Sequence, residues 1–264
     1  MPDREKINPA SRLYNILEEG RRIKNTPTKS GSRVNGSRVK APVPIKANDA
    51  MARLFNVSRG DFAALYEKQV SLLRLLRRTK AILQAMEDPN AHQYQRCVKP
   101  LENAIRKINL ADNQSWQLNA AVPSDSDMAL LGLAASAIEE IYPERLLELE
   151  ELEELKSGAD TLLNEAKSAD VSQLMRAIII DSLENVKFAI EDYETNGAEG
   201  LKSALAESYG RVVVDADVVI PEKDNEWVKR YWEYLGKFTT TVNATEITAK
   251  VGTTVVNLLD KIIG

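Results

Sequence analysis

Two aspartates, Asp215 and Asp217, are the clearest candidates for metal chemistry in this chain. They flank Ala216 in the β-branched stretch RVVVDADVVI, residues 211–220. On a β-strand both carboxylates would share a face and could hold a metal ion, whereas on a helix they would point about 200° apart. We interpret the stretch as helix, because no second strand signal exists to pair with it. A carboxylate–metal enzyme is therefore our least favoured hypothesis.

Histidine and cysteine, the usual residues of nucleophilic and metal chemistry, each occur once. His92 and Cys97 are five positions apart, which places them on different faces of a helix and disfavours a Cys–His dyad. The sequence also lacks GxxxxGK(S/T), GxGxxG, HExxH and GxSxG. We expect no catalytic residue, no metal site and no cofactor, with His92 at the surface and Cys97 in the core.

An acidic run from Glu148 to Glu154 surrounds a helix whose Leu149, Leu152 and Leu155 are expected to face inward. Di-iron bundles combine such glutamates with two Glu-x-x-His pairs, which a single histidine cannot supply. We interpret the run as a solvated acidic face, with a surface for a basic partner as the alternative.

A cluster of aromatic residues lies near the C-terminus. Trp227, Tyr231, Tyr234 and Phe238 recur at spacings of four, three and four, so they form one helical stripe with Trp232 beside it. Such a stripe is typical of a core, but it can also dock on another subunit, where Trp and Tyr dominate binding hot spots. We predict that these five residues form an interaction site.

A basic segment near the N-terminus could bind phosphates. It has no acidic residue between positions 21 and 46, and its cations release counterions when they contact nucleic acid. No aromatic residue within it can stack on bases, which disfavours this function. The candidate nucleic-acid contacts are Arg21, Arg22, Lys24, Lys29, Arg33, Arg38, Lys40 and Lys46.

Helical periodicity in segments of 15 to 27 residues predicts an all-α, multi-helix bundle. We divide the chain into an N-terminal helix (1–26), a flexible basic linker (27–46), a helical bundle (47–222) and an amphipathic C-terminal helical segment (223–264). For that last segment we favour packing or oligomerisation over membrane binding, because the polar face of its tail lacks Lys and Arg.

Several element boundaries follow from local signals. Asn8 is expected to cap a helix that begins at Pro9, and Asp170 is expected to begin a helix that Gly197 stops. A long helix is predicted from Asp61 to Met86, with Phe62 and Tyr66 among its apolar positions. The next helix, about 91–108, is expected to break at Pro100, and Trp116 is expected to anchor the core.

The net charge of −4, the single cysteine and an N-terminus without an apolar leader indicate a cytoplasmic protein without a transmembrane segment. Two stretches, NPASRLY at 8–14 and AIEDYETNGAEGLKSAL at 189–205, resemble uncharacterised all-helical bacterial proteins, some found in defence-type gene neighbourhoods. The resemblance implies a bacterial or phage source and a helical fold, and it brings no catalytic residue.

Our first hypothesis is a non-enzymatic interaction subunit or adaptor of a bacterial system, with a protein partner or a second copy bound through the C-terminal aromatic helix. The alternative is a nucleic-acid-associated protein that binds through residues 21–46.

Overall fold

The computed structural model describes residues 6–25, 45–110, 116, 123–142 and 144–243. These residues are almost wholly helical, which confirms the all-α, multi-helix class. The strands in the described part are β1 (Lys6–Ile7) and β2 (Glu144–Arg145), which pair with one another. The chain divides into two compact units, unit 1 (residues 1–144) and unit 2 (residues 145–264), each with its own hydrophobic core.

The described helices of unit 1 are α1 (Pro9–Asn25), α2 (Ala47–Leu54), α3 (Phe62–Ala85), α4 (Ala91–Tyr94), α5 (Val98–Arg106) and α6 (Asp125–Ile141), with a 3-10 turn at Gln95–Cys97. The long helix α3 packs on α1 and α5, while α1 also packs on α2 and α6. One face of α3 lies in the core, because the spacings of seven, four and seven between Leu65, Leu72, Leu76 and Leu83 keep these residues on one side of the helix.

Asn8 caps α1, as the sequence predicts. Its Oδ1 accepts hydrogen bonds from the backbone N–H groups of Ala10 and Ser11, each at 3.0 Å, which satisfies two donors that the helix leaves unpaired. Its Nδ2 donates to the carbonyl of Ala135 on α6 at 2.9 Å. One buried side chain therefore both begins α1 and ties it to α6.

A buried ion pair joins the last residue of unit 1 to its helices. The Nε of Arg12 on α1 lies 3.3 Å from Oε2 of Glu144, and the Nη2 of Arg78 on α3 lies 3.0 Å from Oε1. Removing one partner of a buried pair costs about 3–5 kcal/mol, because the other charge stays buried without compensation. These contacts hold residue 144 against both α1 and α3.

The predicted break at Pro100 is wrong, because α5 runs through it. Pro100 is the third residue of α5, in the first turn, where the missing N–H would have no helical partner in any case. The irregular step comes earlier, at the 3-10 turn. At the other end of α5, the buried Gln69 of α3 donates Nε2 to the carbonyls of Ile105 and Ile108, each at 2.9 Å. Gln69 thereby fixes α5 against α3.

The described helices of unit 2 are α7 (Leu149–Glu165), α8 (Gln173–Glu191), α9 (Tyr193–Val214), α10 (Ala216–Val219) and α11 (Glu226–Thr241), with a 3-10 turn at Ile220–Glu222. In this unit α8 packs on α7 and α9, and α11 packs on α7 and α9. The predicted stop of the helix at Gly197 is wrong, because α8 already ends at Glu191, with Asp192 as its C-cap. Gly197 instead breaks α9 near its start, with a φ of 63° that glycine tolerates.

Two predicted boundaries in unit 2 need correction. Ser172, and not Asp170, caps α8, because its side chain accepts from the backbone N–H of Met175. The predicted separation of a bundle (47–222) from a C-terminal segment (223–264) also fails. The helix at 226–241 packs within unit 2, and the division falls at residue 144 instead.

Candidate functional site

The five predicted interaction residues on α11 are buried. Trp227, Tyr231, Trp232, Tyr234 and Phe238 have exposed fractions between 0% and 8% and belong to the core of unit 2. Their spacing was correctly interpreted as one face of a helix. That face, however, packs inside the unit and is not available to a partner.

Hydrogen bonds hold the polar atoms of Trp227, Tyr231 and Tyr234 inside unit 2. The hydroxyl of Tyr231 donates to Ser182 at 2.7 Å, and Ser182 donates to Ser208 at 2.7 Å. Trp227 Nε1 and the hydroxyl of Tyr234 donate to backbone carbonyls of α7 at 3.2 and 3.0 Å. Burial raises the pKa of Tyr231 above its usual range, so the hydroxyl stays a neutral donor. Trp232 is the exception, because its Nε1 is buried without a hydrogen-bond partner among the described residues. The stripe is nevertheless packed in the core of unit 2, which corrects the predicted interaction site.

The close approach of α7 and α11 depends on a glycine. A Cβ at Gly158 of α7 would lie 2.8 Å from the Tyr234 ring, closer than atoms can pack. A Cβ at Gly236 of α11, by contrast, would meet nothing within 4 Å. The ring of Tyr234 therefore occupies the space that a side chain on α7 would need.

The candidate basic residues near the N-terminus are described only in part. Arg21 pairs with Glu18 and Asp125, and Arg22 pairs with Glu19 at 3.2 Å. Lys46 precedes α2 and is half-buried, and Lys24 lies in α1. The other four candidates, Lys29, Arg33, Arg38 and Lys40, lie outside the described residues.

The carboxylates do not form a site. Residues 211–220 are helical, as predicted, with Asp215 at the junction of α9 and α10 and Asp217 within α10. The shared face that a metal would need is therefore missing. In the part of the chain that the structure describes, no three His, Cys, Asp or Glu side chains are grouped to hold a metal ion. His92 is exposed and Cys97 is buried, both as predicted.

Charge is divided unevenly between the two units. Unit 1 has 22 Lys and Arg against 16 Asp and Glu, a formal charge of +6, whereas unit 2 has 13 against 23, a formal charge of −10. The small net charge of the whole chain hides this division. An anionic partner would therefore be attracted to unit 1 and repelled by unit 2.

A cationic groove lies between α3 and α5 of unit 1. Its volume is about 340 Å³, and its cations Lys80, Lys99 and Arg106 are exposed. Lys80 comes from α3 and the other two from α5, so the antiparallel packing of these helices brings them together. Among the described residues, no carboxylate lies within ion-pair distance of Lys80 or Lys99. The remaining lining residues are Gln95, Val98, Glu102 and Asn103.

Among the residues that the structure describes, Glu102 is the one carboxylate that lines this groove. It accepts hydrogen bonds from Nε and Nη2 of Arg106 at 2.9 and 2.7 Å. The hydrogen bond from Arg106, assisted by the positive charges of Arg106, Arg77 and Lys80, lowers the pKa of Glu102. Glu102 therefore stays ionised and offsets part of the positive charge of the groove. Lys80 of α3 and the two cations of α5, Lys99 and Arg106, line this same groove.

An exposed apolar stripe continues along α3 from the groove. Phe62, Tyr66 and Val70 are 44%, 45% and 43% exposed. Arg77 and Lys80 lie on the same side, because the spacing from Phe62 to Lys80 follows steps of three and four. We call Phe62, Tyr66, Val70, Leu73, Arg77 and Lys80 the α3 stripe. The first half of the stripe is apolar and the second half is cationic. One extended ligand can therefore place flat apolar groups on the first half and anionic groups on the second.

The three comparisons with known proteins give no match. No family model, no curated protein and no solved structure is similar to the chain. The resemblance to bacterial helical proteins therefore stays a prediction. Among the described helices, none has a stretch long and apolar enough to span a lipid bilayer.

Helical periodicity includes Phe62 and Tyr66 among the apolar positions of α3 and does not separate them from its core face. The signal was present, because Leu65, Leu72, Leu76 and Leu83 already complete a core stripe without them. The groove itself needs the packing of α5 on α3, which no local pattern encodes.

Proposed function

We propose that this protein is a non-enzymatic interaction subunit or adaptor of a bacterial system, and that it binds an anionic macromolecule through the α3–α5 groove. The resemblance of residues 8–14 and 189–205 to bacterial helical proteins suggests the bacterial setting, and a defence role belongs to the same proposal. One observation carries the choice of site. Lys80, Lys99 and Arg106 converge on a groove whose one lining carboxylate, Glu102, is already bound to Arg106.

Electrostatics favours an anionic macromolecule over a small anion. The groove is open and its cations are spread over two helices, so a single phosphate would contact only part of the set. A chain of anionic groups would contact several cations and release several counterions, and each release adds to affinity at low salt. Unit 2, with a formal charge of −10, would repel the same partner.

The proposed binding site in unit 1 replaces the predicted interaction site on α11. Trp227, Tyr231 and Phe238 would have to leave the core of unit 2 to reach a partner. Burying an aromatic side chain stabilises a fold by about 1.5–3 kcal/mol. Exposing three of them would therefore cost more free energy than the formation of a typical docking interface would regain. The α3–α5 groove is exposed without any rearrangement.

Binding of a fluorescently labelled heparin fragment tests this proposal, since heparin is a polyanion without bases. We expect log K to fall linearly with log salt. The variant Lys80→Gln/Lys99→Gln should bind more weakly and lower the magnitude of that slope by about 1.4, at about 0.7 for each lost contact in a flexible anionic chain. Fluorescence anisotropy at several salt concentrations measures both quantities.

The matched control is Arg53→Gln/Lys167→Gln, which removes the same charge from two other exposed positions. Arg53 lies on α2, and Lys167 lies in unit 2 beyond the end of α7. This control should keep the wild-type slope. Equal slopes for the groove variant and the wild type would contradict the proposed site, as would an absence of any heparin binding at low salt.

A further inference from the structure

We infer that the anionic partner is a single-stranded nucleic acid, with bases stacked on Phe62 and Tyr66 and phosphates held by the cations of the α3–α5 groove. The inference rests on the proposed function, because it names the partner of the same site. It goes beyond that function in assigning a role to the exposed aromatic half of the α3 stripe.

The exposed rings are aligned with the cations along α3. Phe62, Tyr66, Arg77 and Lys80 lie on one side of α3, and the two rings are nearly half exposed. Eighteen residues separate Phe62 from Lys80, about 27 Å at a rise of about 1.5 Å per residue. That length matches about eight nucleotides at a stacked spacing of about 3.4 Å, within the range of about 4–16 that single-strand sites use.

The two halves of the α3 stripe offer different chemistry. Exposed aromatic rings provide faces on which bases of any sequence can stack, while Lys and Arg track the backbone. A duplex keeps its base faces inside the stack, so it could use the cations but not Phe62 or Tyr66. An acidic protein would likewise satisfy Lys80 and Lys99 without requiring flat rings in line with them. The combination therefore favours a single strand.

The basic segment at residues 21–46 is compatible with this site but does not define it. It has cations and no aromatic residue, so it lacks the stacking function that α3 provides. Its first residues, Arg21 and Arg22, already pair with carboxylates of unit 1. Any contribution from Arg33, Arg38 and Lys40 would be sequence-independent and additive to that of the groove.

The experiment compares three labelled probes with the full chain: a 12-nucleotide single strand of mixed sequence, the same sequence as a duplex, and the heparin fragment. The variant is Phe62→Ala/Tyr66→Ala. The control is Phe188→Ala/Tyr142→Ala, which removes one phenylalanine and one tyrosine of similar exposure elsewhere, 41% and 47%. Thermal unfolding of both variants shows whether they are folded.

We expect the single strand to bind more tightly than the duplex. Each stacking ring contributes a factor of about 5 to 150, so the variant that lacks both should bind the single strand at least about 25-fold more weakly, while heparin binding should stay within about two-fold. The control should bind all three probes like the wild type. A folded ring variant that loses the single strand and keeps heparin supports the inference.

Other results would overturn it, and they separate it from the proposed function. The inference is refuted if heparin binds at the groove but the single strand binds no more tightly than the duplex. It is also refuted if the ring variant binds the single strand like the wild type. Either result leaves the proposed function standing. Failure to bind any polyanion would refute both. Loss of binding in Arg33→Ala/Arg38→Ala/Lys40→Ala but not in the ring variant would move the site to residues 21–46. A dimer that the ring variant dissociates in light scattering would assign the rings to a second copy of the chain.

Discussion

Replacement of Phe238 by alanine separates a core role of the α11 aromatic stripe from a docking role. The side chain is fully buried in unit 2, and its ring lies 6.2 Å from the ring of Tyr234. It carries no polar atom, so its truncation removes packing alone. Truncation of a docking residue would leave the stability of the single chain unchanged, whereas truncation of a core residue would lower it.

The size of the effect follows from the burial. Truncation of a fully buried phenylalanine costs about 3–5 kcal/mol, because it removes transfer free energy and leaves a cavity. Unit 2 contains 120 residues, from 145 to 264. At about 0.05–0.15 kcal/mol per residue, its free energy of unfolding is about 6–18 kcal/mol. The substitution therefore removes between a sixth and most of that stability.

Urea denaturation followed by tryptophan fluorescence measures this change, because Trp227 and Trp232 both lie in the core of unit 2. With a slope of about 2 kcal/mol per molar urea, the midpoint should fall by about 1.5–2.5 M. Phe188→Ala, at a half-exposed position of the same unit, is the matched control and should cost about 1 kcal/mol or less. An unchanged midpoint for Phe238→Ala, together with a changed oligomeric state in light scattering, would refute the core assignment.

Two further predictions concern packing and ionisation. The Gly158→Ala variant should be less stable than the Gly236→Ala variant by about 1–3 kcal/mol, because both gain helix propensity but only the first clashes with Tyr234. Urea denaturation measures the two stabilities, and the reverse order would contradict the close approach of α7 and α11. Burial raises the pKa of Cys97 to about 11, and the thiolate is the reactive form. Alkylation at about pH 8 should therefore be much slower in the folded protein than in urea, and equal rates would show that the thiol is accessible. Because folding favours the neutral thiol, its contribution to stability is present below the ordinary thiol pKa and declines as the pH rises towards 11.

Most of the fold could be predicted from the sequence, because helical spacing and caps are local. Asn8 before Pro9 signals the start of α1, whereas the glycine signal at Gly197 marks a break near the start of α9 and not the end of α8, which comes at Glu191. Pro100 misled the prediction, since its effect depends on which turn of a helix it occupies. The division at residue 144 depends on contacts between distant residues, which periodicity does not encode.

The candidate site was harder to predict, for a physical reason. Periodicity shows that aromatic residues share a face, but it does not show what covers that face. Trp227 and Phe238 are covered by their own unit, whereas Phe62 and Tyr66, counted among the apolar positions of α3, are nearly half exposed. The net charge of the chain similarly hides the opposite charges of its two units.

Replacement of Glu102 by glutamine tests the binding site most directly, because a gain of binding cannot result from misfolding. The change removes the one carboxylate lining the groove and frees Arg106 from its ion pair. At a coefficient of about 0.7 per contact, one added phosphate contact raises affinity by about five-fold at 0.1 M salt. We predict that Glu102→Gln binds the single strand and heparin more tightly by about that factor, with a steeper salt dependence. Unchanged or weaker binding of both probes by the folded variant would contradict the assignment of the α3–α5 groove as the binding site.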